Sequence, residues 1–535
     1  MTSKPIPEDR VTAGSPASSD IRSRLFSSFG VQTLAVGLRI VQQIVLVPIL
    51  IAAWGTELYQ DWIIIFSASA LFAMVDFGTQ IYFGNALMIA WSRRDMVTFR
   101  RLFATAMGIY AVIIAVVAVL LFGATTVASW PLLLGTQGMN DHTALWTFLP
   151  MVAATLGLVP LGIFTGLYRV YGDYVHGTVL VVIADAGRGF GVCLVAFSGG
   201  TPIVAAWAYL VIASLLWLAV VRDLRRRFGP IPFSLGLPTM SELRDAVSRS
   251  ALYFVPTVVT PIVLNLPIIL LGKLGAVPGA VVAFSVARTF TGFVRQIVLQ
   301  MCHPIGCEIA RQQALDDTGK LGRLFKAGGR LTSGMAGLLS GFTLVVADAF
   351  IRIWTHGAVV FDPWLVGAFL VTIICAAPAQ VALTMFLYNN KPGILVFAQG
   401  GYAIGTVVFC ALLIKGFSAA GAAAGTGLAE CVSIGLLVPF AATRQIRLNL
   451  GLYLGQCYLV AAMAFSASWG VAWALNQLIQ AQSLIFLMVL GGAWAIVVAL
   501  PSYFLLLSSA ERDWLYFHGL ARFSRISTFF RRQVG

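Results

Sequence analysis

Fourteen apolar runs, separated by clusters of basic residues, organise this 535-residue chain. They fall at about 28–53, 62–90, 102–127, 145–167, 175–198, 202–221, 251–272, 279–302, 329–353, 364–388, 393–415, 419–441, 451–475 and 483–507. Each is close to the roughly 20 residues that a helix needs to cross a hydrocarbon core about 30 Å thick. In lipid every backbone amide must be satisfied within its own segment or a closed barrel, so uninterrupted runs of this length predict an all-α polytopic membrane protein. Composition agrees. The chain is 59% hydrophobic and 10% charged, whereas soluble domains carry about 25% charge.

The net charge of +14 raises the question of where the 35 Lys and Arg lie. With the N-terminus placed in the cytoplasm, 28 of them fall on cytoplasmic segments. Three, Lys273, Arg352 and Lys415, sit at the opposite ends of spans, and four, Arg39, Arg188, Arg288 and Arg295, lie inside spans. This bias predicts both termini inside and an even number of spans. It also argues against nucleic acid as a partner, since the basic residues are spread over loops of one face with no binding module around them.

Organisation follows from these spans. Residues 1–27 read as a disordered cytoplasmic tail, polar and rich in Ser and Pro. The run at 28–53 is too long for a signal-peptide core and is read as the first span. Residues 28–221 form an N-terminal six-helix lobe, 222–250 a cytoplasmic linker, 251–441 a C-terminal six-helix lobe, 442–507 two further spans and 508–535 a basic cytoplasmic tail. The two lobes look like repeats. Pro48 to Gly55 resembles Pro267 to Gly275, Arg101-Leu102-Phe103 resembles Arg323-Leu324-Phe325, and Pro160 with Leu167-Tyr168 corresponds to Pro378 with Leu387-Tyr388. All are offset by about 220 residues. Six spans per repeat give both repeats one orientation, the plan of transporters that rock two lobes around a central site. Pro256, Pro261 and Pro267 crowd into span seven, where each removes a helix donor. The small residues of Ala419–Gly427 are explained by close helix packing.

A charge at mid-bilayer needs a partner, water or a role. Arg39 lies about eleven residues from either end of span one, roughly 16 Å at 1.5 Å per residue, too far to snorkel. Asp76 of span two is its candidate partner. The alternative is that Arg39 lines a water-filled cavity. Arg288 and Arg295 are two turns apart in span eight with no acid in that span, so they are expected on one face and open to an anionic ligand, which Arg binds through a bidentate fork. Asp185 and Arg188, three apart in span five, read as a self-neutralising pair. Asp348 and Arg352 read as an interfacial pair. Glu430 is a lone acid in span twelve, either a carrier of a coupling proton or a buried protonated group.

Little here points to catalysis. The five histidines are scattered, and there is neither a phosphate-binding Gly-Lys-Ser/Thr loop nor an HExxH motif. The seven cysteines lack paired spacing and read as buried small hydrophobes. Cys302, His303 and Cys307 have ligand chemistry, but no second cluster completes a metal site.

Pro48-x6-Gly55-Thr-Glu57-x-Tyr59-x-x-Trp62, followed by Asp76-Phe77-Gly78, a basic loop and Arg101-Leu102-Phe103, resembles the N-terminal half of the bacterial polysaccharide-biosynthesis membrane proteins, the O-antigen and exopolysaccharide flippases. These belong with the lipid II flippases and the multidrug and toxin extrusion transporters in one exporter superfamily. The resemblance implies two six-helix lobes with two extra helices, and a transporter rather than an enzyme. It also implies movement of an undecaprenyl-diphosphate-linked oligosaccharide across the bacterial inner membrane by alternating access. The cavity of such proteins is lined by the first two helices of each lobe, which here carry Arg39, Asp76, Arg288 and Arg295. Arg39, Arg288 and Arg295 would hold the diphosphate, with Asp76 competing for Arg39. No cofactor is implied beyond coupling to a proton or sodium gradient. The partners implied are the polyprenyl-linked glycan, membrane lipid and other polysaccharide-assembly membrane proteins. Two departures are span seven, which lacks an internal charge, and Gln60, where the motif has Gly. A cation-coupled exporter of drugs or small metabolites and a glycan polymerase or ligase are the alternative readings.

Overall fold

The computed structural model describes residues 18–125, 129–229, 240–275, 277–314, 318–388, 392–479 and 483–506; the expected terminal tails lie largely outside them. The elements are helical throughout: α1 (Ser18–Ala70), a 3-10 turn (Leu71–Asp76), α2 (Thr79–Ser92), α3 (Met96–Thr125), α4 (Trp130–Leu134), α5 (Asp141–Val170), α6 (Tyr174–Phe197), α7 (Pro202–Phe228), α8 (Met240–Leu274), α9 (Ala280–Ala314), α10 (Thr318–Trp354), α11 (Pro363–Tyr388), α12 (Pro392–Glu430), a π-helical turn (Cys431–Leu436), α13 (Leu437–Ile446), α14 (Leu450–Ile479) and α15 (Leu484–Leu506).

Eleven helical segments among the described residues are long and apolar enough to cross a membrane. Two of them, Val36–Asp76 with 41 residues and Gly393–Ile446 with 54, are too long for one crossing at 1.5 Å per residue. Each contains a break. Gly55 has φ 74° within α1, a left-handed value that costs glycine nothing, and Ser418 has φ 48° within α12. Counting the arms on either side of these breaks, and the shorter apolar helix Leu484–Val498, gives the fourteen passes expected. The protein is an all-α multi-pass membrane protein.

The break at Ser418 shows why the glycine- and alanine-rich stretch is there. A side chain at Gly421 would strike the Leu413 backbone, and one at Gly425 would come within 2.7 Å of the Cys410 amide nitrogen. Further along, Gly405 faces Ala429 and Gly401 faces Ser433. The partner positions rise on one arm as they fall on the other, which defines an antiparallel hairpin. Lipid tails are as apolar as Leu, so helices in a membrane associate by close packing rather than by burial from water. Small residues supply that packing here.

The chain divides into two compact units. The first comprises Met1–Ala53, Val75–Ala128 and Leu145–Ala251; the second comprises Trp54–Met74, Ser129–Ala144 and Leu252–Gly535. The first unit is cored by aromatic and branched side chains of α2, α3, α5 and α7, among them Phe83, Phe99, Phe103, Tyr110, Phe164, Tyr168 and Val220. Trp217 ties α7 to α5 by donating from Nε1 to the Gly157 carbonyl at 2.7 Å. At the start of α3, Asp95 accepts the Thr98 amide at 3.0 Å. These hydrogen bonds with Thr98 hold its carboxyl below the usual range, as an N-terminal cap does.

In the second unit α14 packs along α10 and α11. Gly337 and Gly341 of α10 lie against the backbone of α14 at Ala461 and Phe465, and Ser468 donates to the Leu338 carbonyl at 2.6 Å. Around Pro378 of α11, Tyr453 donates to the Pro378 carbonyl at 2.9 Å and Tyr458 to the Cys375 carbonyl at 3.1 Å. The α15 helix joins through Trp494, whose Nε1 donates to Ser468 at 3.0 Å. Both α14 and α15 are thus built into this unit's core.

Candidate functional site: charges within the spans

Arg39 stands on the first arm of α1, in the first unit. Its Nη2 lies 3.7 Å from Oδ2 of Asp185 on α6. The other Asp185 oxygen accepts from Arg188 Nη2 at 2.8 Å, so the expected intrahelical pair is formed and Arg39 joins it. Arg188 is buried, with its guanidinium carbon 5.3 Å from the ring centre of Tyr209 on α7. Arg39 is exposed, with 61% of its side chain accessible. Near this contact, Gly189 of α6 lies beneath the side-chain amide of Gln42, one turn from Arg39 on α1.

The expected Arg39–Asp76 pair is not formed. Asp76 ends the 3-10 turn just before two left-handed residues, Phe77 at φ 49° and Gly78 at φ 76°, which break span two in its middle. A helix that restarts at Thr79 leaves amides without carbonyl partners. Asp76 supplies one: its Oδ1 accepts from the Gln80 amide at 3.0 Å and from the Tyr110 hydroxyl at 2.8 Å. The Thr79 hydroxyl lies 3.0 Å from the same oxygen and 2.7 Å from that of Tyr110. The Asp-Phe-Gly motif is therefore a capped helix break, and its buried carboxylate is taken up by it.

In the second unit, Arg288 and Arg295 of α9 have different surroundings. Arg295 donates Nη1 and Nη2 to the two oxygens of Glu430 at 2.7 and 2.8 Å, and the Tyr402 hydroxyl donates to Glu430 Oε2 at 3.2 Å. The expectation that Arg295 lacks an acid, and that Glu430 stands alone, is corrected by this pair. The acid comes from another helix, at the end of α12 just before the π-helical turn. Arg288 donates to the Leu264 carbonyl of α8 and lies 5.4 Å from the Phe284 ring centre. Among the described residues no carboxylate forms an ion pair with it. Nearby, Asn265 donates to the Pro261 carbonyl at 3.1 Å. Side chains thus occupy carbonyls of the proline-bearing stretch of α8, as membrane helices with proline require.

Asp348 and Arg352 form the expected pair at 3.2 Å. The side chains of His303 and Cys307 lie outside the described residues. Cys302 donates to the Val298 carbonyl at 3.3 Å.

One charged residue escaped the reading of the sequence. Asp61, fully buried, accepts three backbone amides of the segment after α4: Gln137 at 3.0 Å, Gly138 at 2.7 Å and Met139 at 2.8 Å. It sits within the Gly55–Trp62 motif, and an acid at the edge of an apolar run was the available signal. Gly135 in the same segment has φ 81° and lies against Gly272 and Lys273 of α8.

No family model matches this sequence, and no curated protein does. Solved structures do. The lipid II flippase MurJ in an inward closed conformation superposes with a TM-score of 0.62 at 10% identity, covering 83% of this chain and 98% of that one. A multidrug resistance MATE family transporter of the MOP superfamily, in an inward-facing conformation, superposes with a TM-score of 0.62 at 14% identity, covering 80% of this chain and 95% of that one. Over nearly the whole length of both structures, the chain has the fold that they share, the one implied by the sequence resemblance.

Proposed function

We propose that this protein is an alternating-access flippase that carries an undecaprenyl-diphosphate-linked oligosaccharide across the bacterial inner membrane for surface-polysaccharide synthesis. The observation that carries the reading is Arg288: a guanidinium within a span, held by a carbonyl and an aromatic ring, with no carboxylate to neutralise it among the described residues. A cation so placed is kept for an anionic group, and a diphosphate matches its fork. In the first unit, Arg39 is likewise a guanidinium within a span, only loosely tied to its carboxylate, Asp185. Arg295 is engaged by Glu430 and would reach a phosphate only on leaving it. A fold shared with a lipid II flippase supports the class of cargo, a glycan on a lipid diphosphate, whose polyprenyl tail would stay in lipid. Coupling to a proton or sodium gradient belongs to the same proposal, as do polysaccharide-assembly proteins as partners.

The test is deletion of the gene followed by complementation. Loss of the protein is expected to leave a lipid-linked oligosaccharide on the cytoplasmic leaflet, and Arg288→Ala to fail to clear it while inserting normally. Full polysaccharide export by Arg288→Ala would sink the assignment. The second reading, an exporter of drugs or small metabolites, is favoured by the equal likeness to the MATE family transporter. It predicts altered drug resistance on deletion with polysaccharide unchanged.

A further inference from the structure

Asp185 is shared unequally between two arginines. Arg188 holds Oδ1 at hydrogen-bond distance, 2.8 Å, whereas Arg39 stands 3.7 Å from Oδ2, beyond it. Arg188 is fixed in place. Only 8% of the residue is accessible, Tyr209 covers its guanidinium, and its Nε and Nη1 have no hydrogen-bond partner among the described residues. Its one hydrogen bond among the described residues is to Asp185. Arg39 has the opposite character, being exposed and held only by the longer contact.

We infer that Arg188 is a positioning residue that keeps Asp185 neutralised so that Arg39 is free to bind the anionic group of the cargo. The inference rests on the proposed role of Arg39 as an anion-binding group and adds the device that makes it available. If Asp185 had Arg39 as its sole partner, the departure of Arg39 toward a phosphate would leave this half-exposed carboxylate unpaired within the span, and the lost attraction would oppose binding. With Arg188 in place the carboxylate stays paired whichever way Arg39 points. The three side chains together carry one positive charge in excess, and it resides on the exposed Arg39. Packing supports the same division of roles. Gly187 and Gly191 on α6 face Ile212 of α7, one turn from Tyr209, whose ring lies beside the Arg188 guanidinium.

The experiment measures binding of inorganic diphosphate to the purified full-length protein in detergent by titration calorimetry. Arg39→Ala is expected to weaken binding at least about tenfold. Arg188→Met, which keeps the packing against Tyr209 and removes the charge, is expected to weaken binding about tenfold, the size of one charged coupling. Adding Asp185→Asn to it is expected to restore wild-type affinity, because no carboxylate then competes for Arg39. A merely structural role for Arg188 predicts no such rescue. The inference is overturned if Arg188→Met binds as wild type does, or if the double variant stays as weak as the single one, with Arg39→Ala still defective in either case. If Arg39→Ala binds normally, the anion-binding role of Arg39 falls and takes the inference with it. Should Arg188→Met aggregate, Arg188→Lys is measured in its place. It lacks the fork that holds Asp185 and is expected to lose about threefold; wild-type affinity in that variant would overturn the inference equally.

Discussion

Arg295 and Glu430, 135 positions apart, meet through two parallel hydrogen bonds of 2.7 and 2.8 Å. The carboxylate is almost wholly buried and the guanidinium about one-third exposed, at 3% and 36%. Removing one member of a buried pair strands the other, which typically costs about 3–5 kcal/mol. With Arg295 partly exposed, Glu430→Gln is expected to cost about 2 kcal/mol. Replacing both, as Arg295→Met with Glu430→Gln, is expected to recover most of that loss. Thermal unfolding of the variants in one detergent measures both effects.

Arg39 and Asp76 are expected to behave as strangers. In a double-mutant cycle on thermal stability, Arg39→Ala and Asp76→Ala should add within about 0.5 kcal/mol, as groups without a shared partner do. Asp76→Ala alone should cost about 2 kcal/mol through the lost cap and the lost acceptor of the Tyr110 and Thr79 hydroxyls. The Arg39–Asp185 cycle should show coupling once Arg188 is replaced by Met, because Arg39 is then the carboxylate's remaining partner.

Asp61 fixes the segment after α4 by three charge-assisted hydrogen bonds. In Asp61→Ala the amides of Gln137, Gly138 and Met139 lose their acceptor. Their hydrogen exchange is expected to rise at least about tenfold, since even one hydrogen bond to a charged group is worth about 1.5–3 kcal/mol. Amides in the middle of α3 should be unchanged, which separates a local release from general unfolding.

The hairpin within α12 should tolerate no bulk on its inner face. Gly425→Val would place a branched side chain against the Cys410 backbone and is expected to abolish a monodisperse peak in size-exclusion chromatography. Gly416→Ala, where the added carbon would meet nothing within 4 Å, should elute as wild type does.

The spans were legible because hydrophobic runs and their basic punctuation are local properties of the chain. The small-residue stripe at 419–427 was legible for the same reason, since tight packing leaves its mark on composition. Partnership between helices is another matter. Glu430 and Arg295 were each noticed as charges within the membrane, yet nothing in either span says how α9 and α12 are rotated toward one another. Arg39 was paired with Asp76 because neighbouring spans were the simplest source of a counter-charge. The carboxylate that meets it comes from α6, which no pattern within span one points to. Asp76 was misread because a helix break in mid-span looks, residue by residue, like more apolar sequence, and only its left-handed Phe77 and Gly78 reveal the amide that needed a cap. Asp61 was passed over because its partners are backbone amides, which no pattern of side chains records.

Three hydroxyls of this protein do what water does elsewhere. Thr332, Tyr453 and Tyr458 reach carbonyls of Ala377, Pro378 and Cys375 at 3.4, 2.9 and 3.1 Å, within about one turn of α11. Pro378 has no amide for the Ile374 carbonyl one turn back, and the hydroxyls brace the backbone on either side of that interruption with bonds from neighbouring helices. The shape of the turn is therefore held jointly by α10, α11 and α14. It follows that α14 works as an internal solvent for its neighbours: a chain cut short before Leu450 would lose both tyrosines and leave the polar backbone around Pro378 facing hydrocarbon.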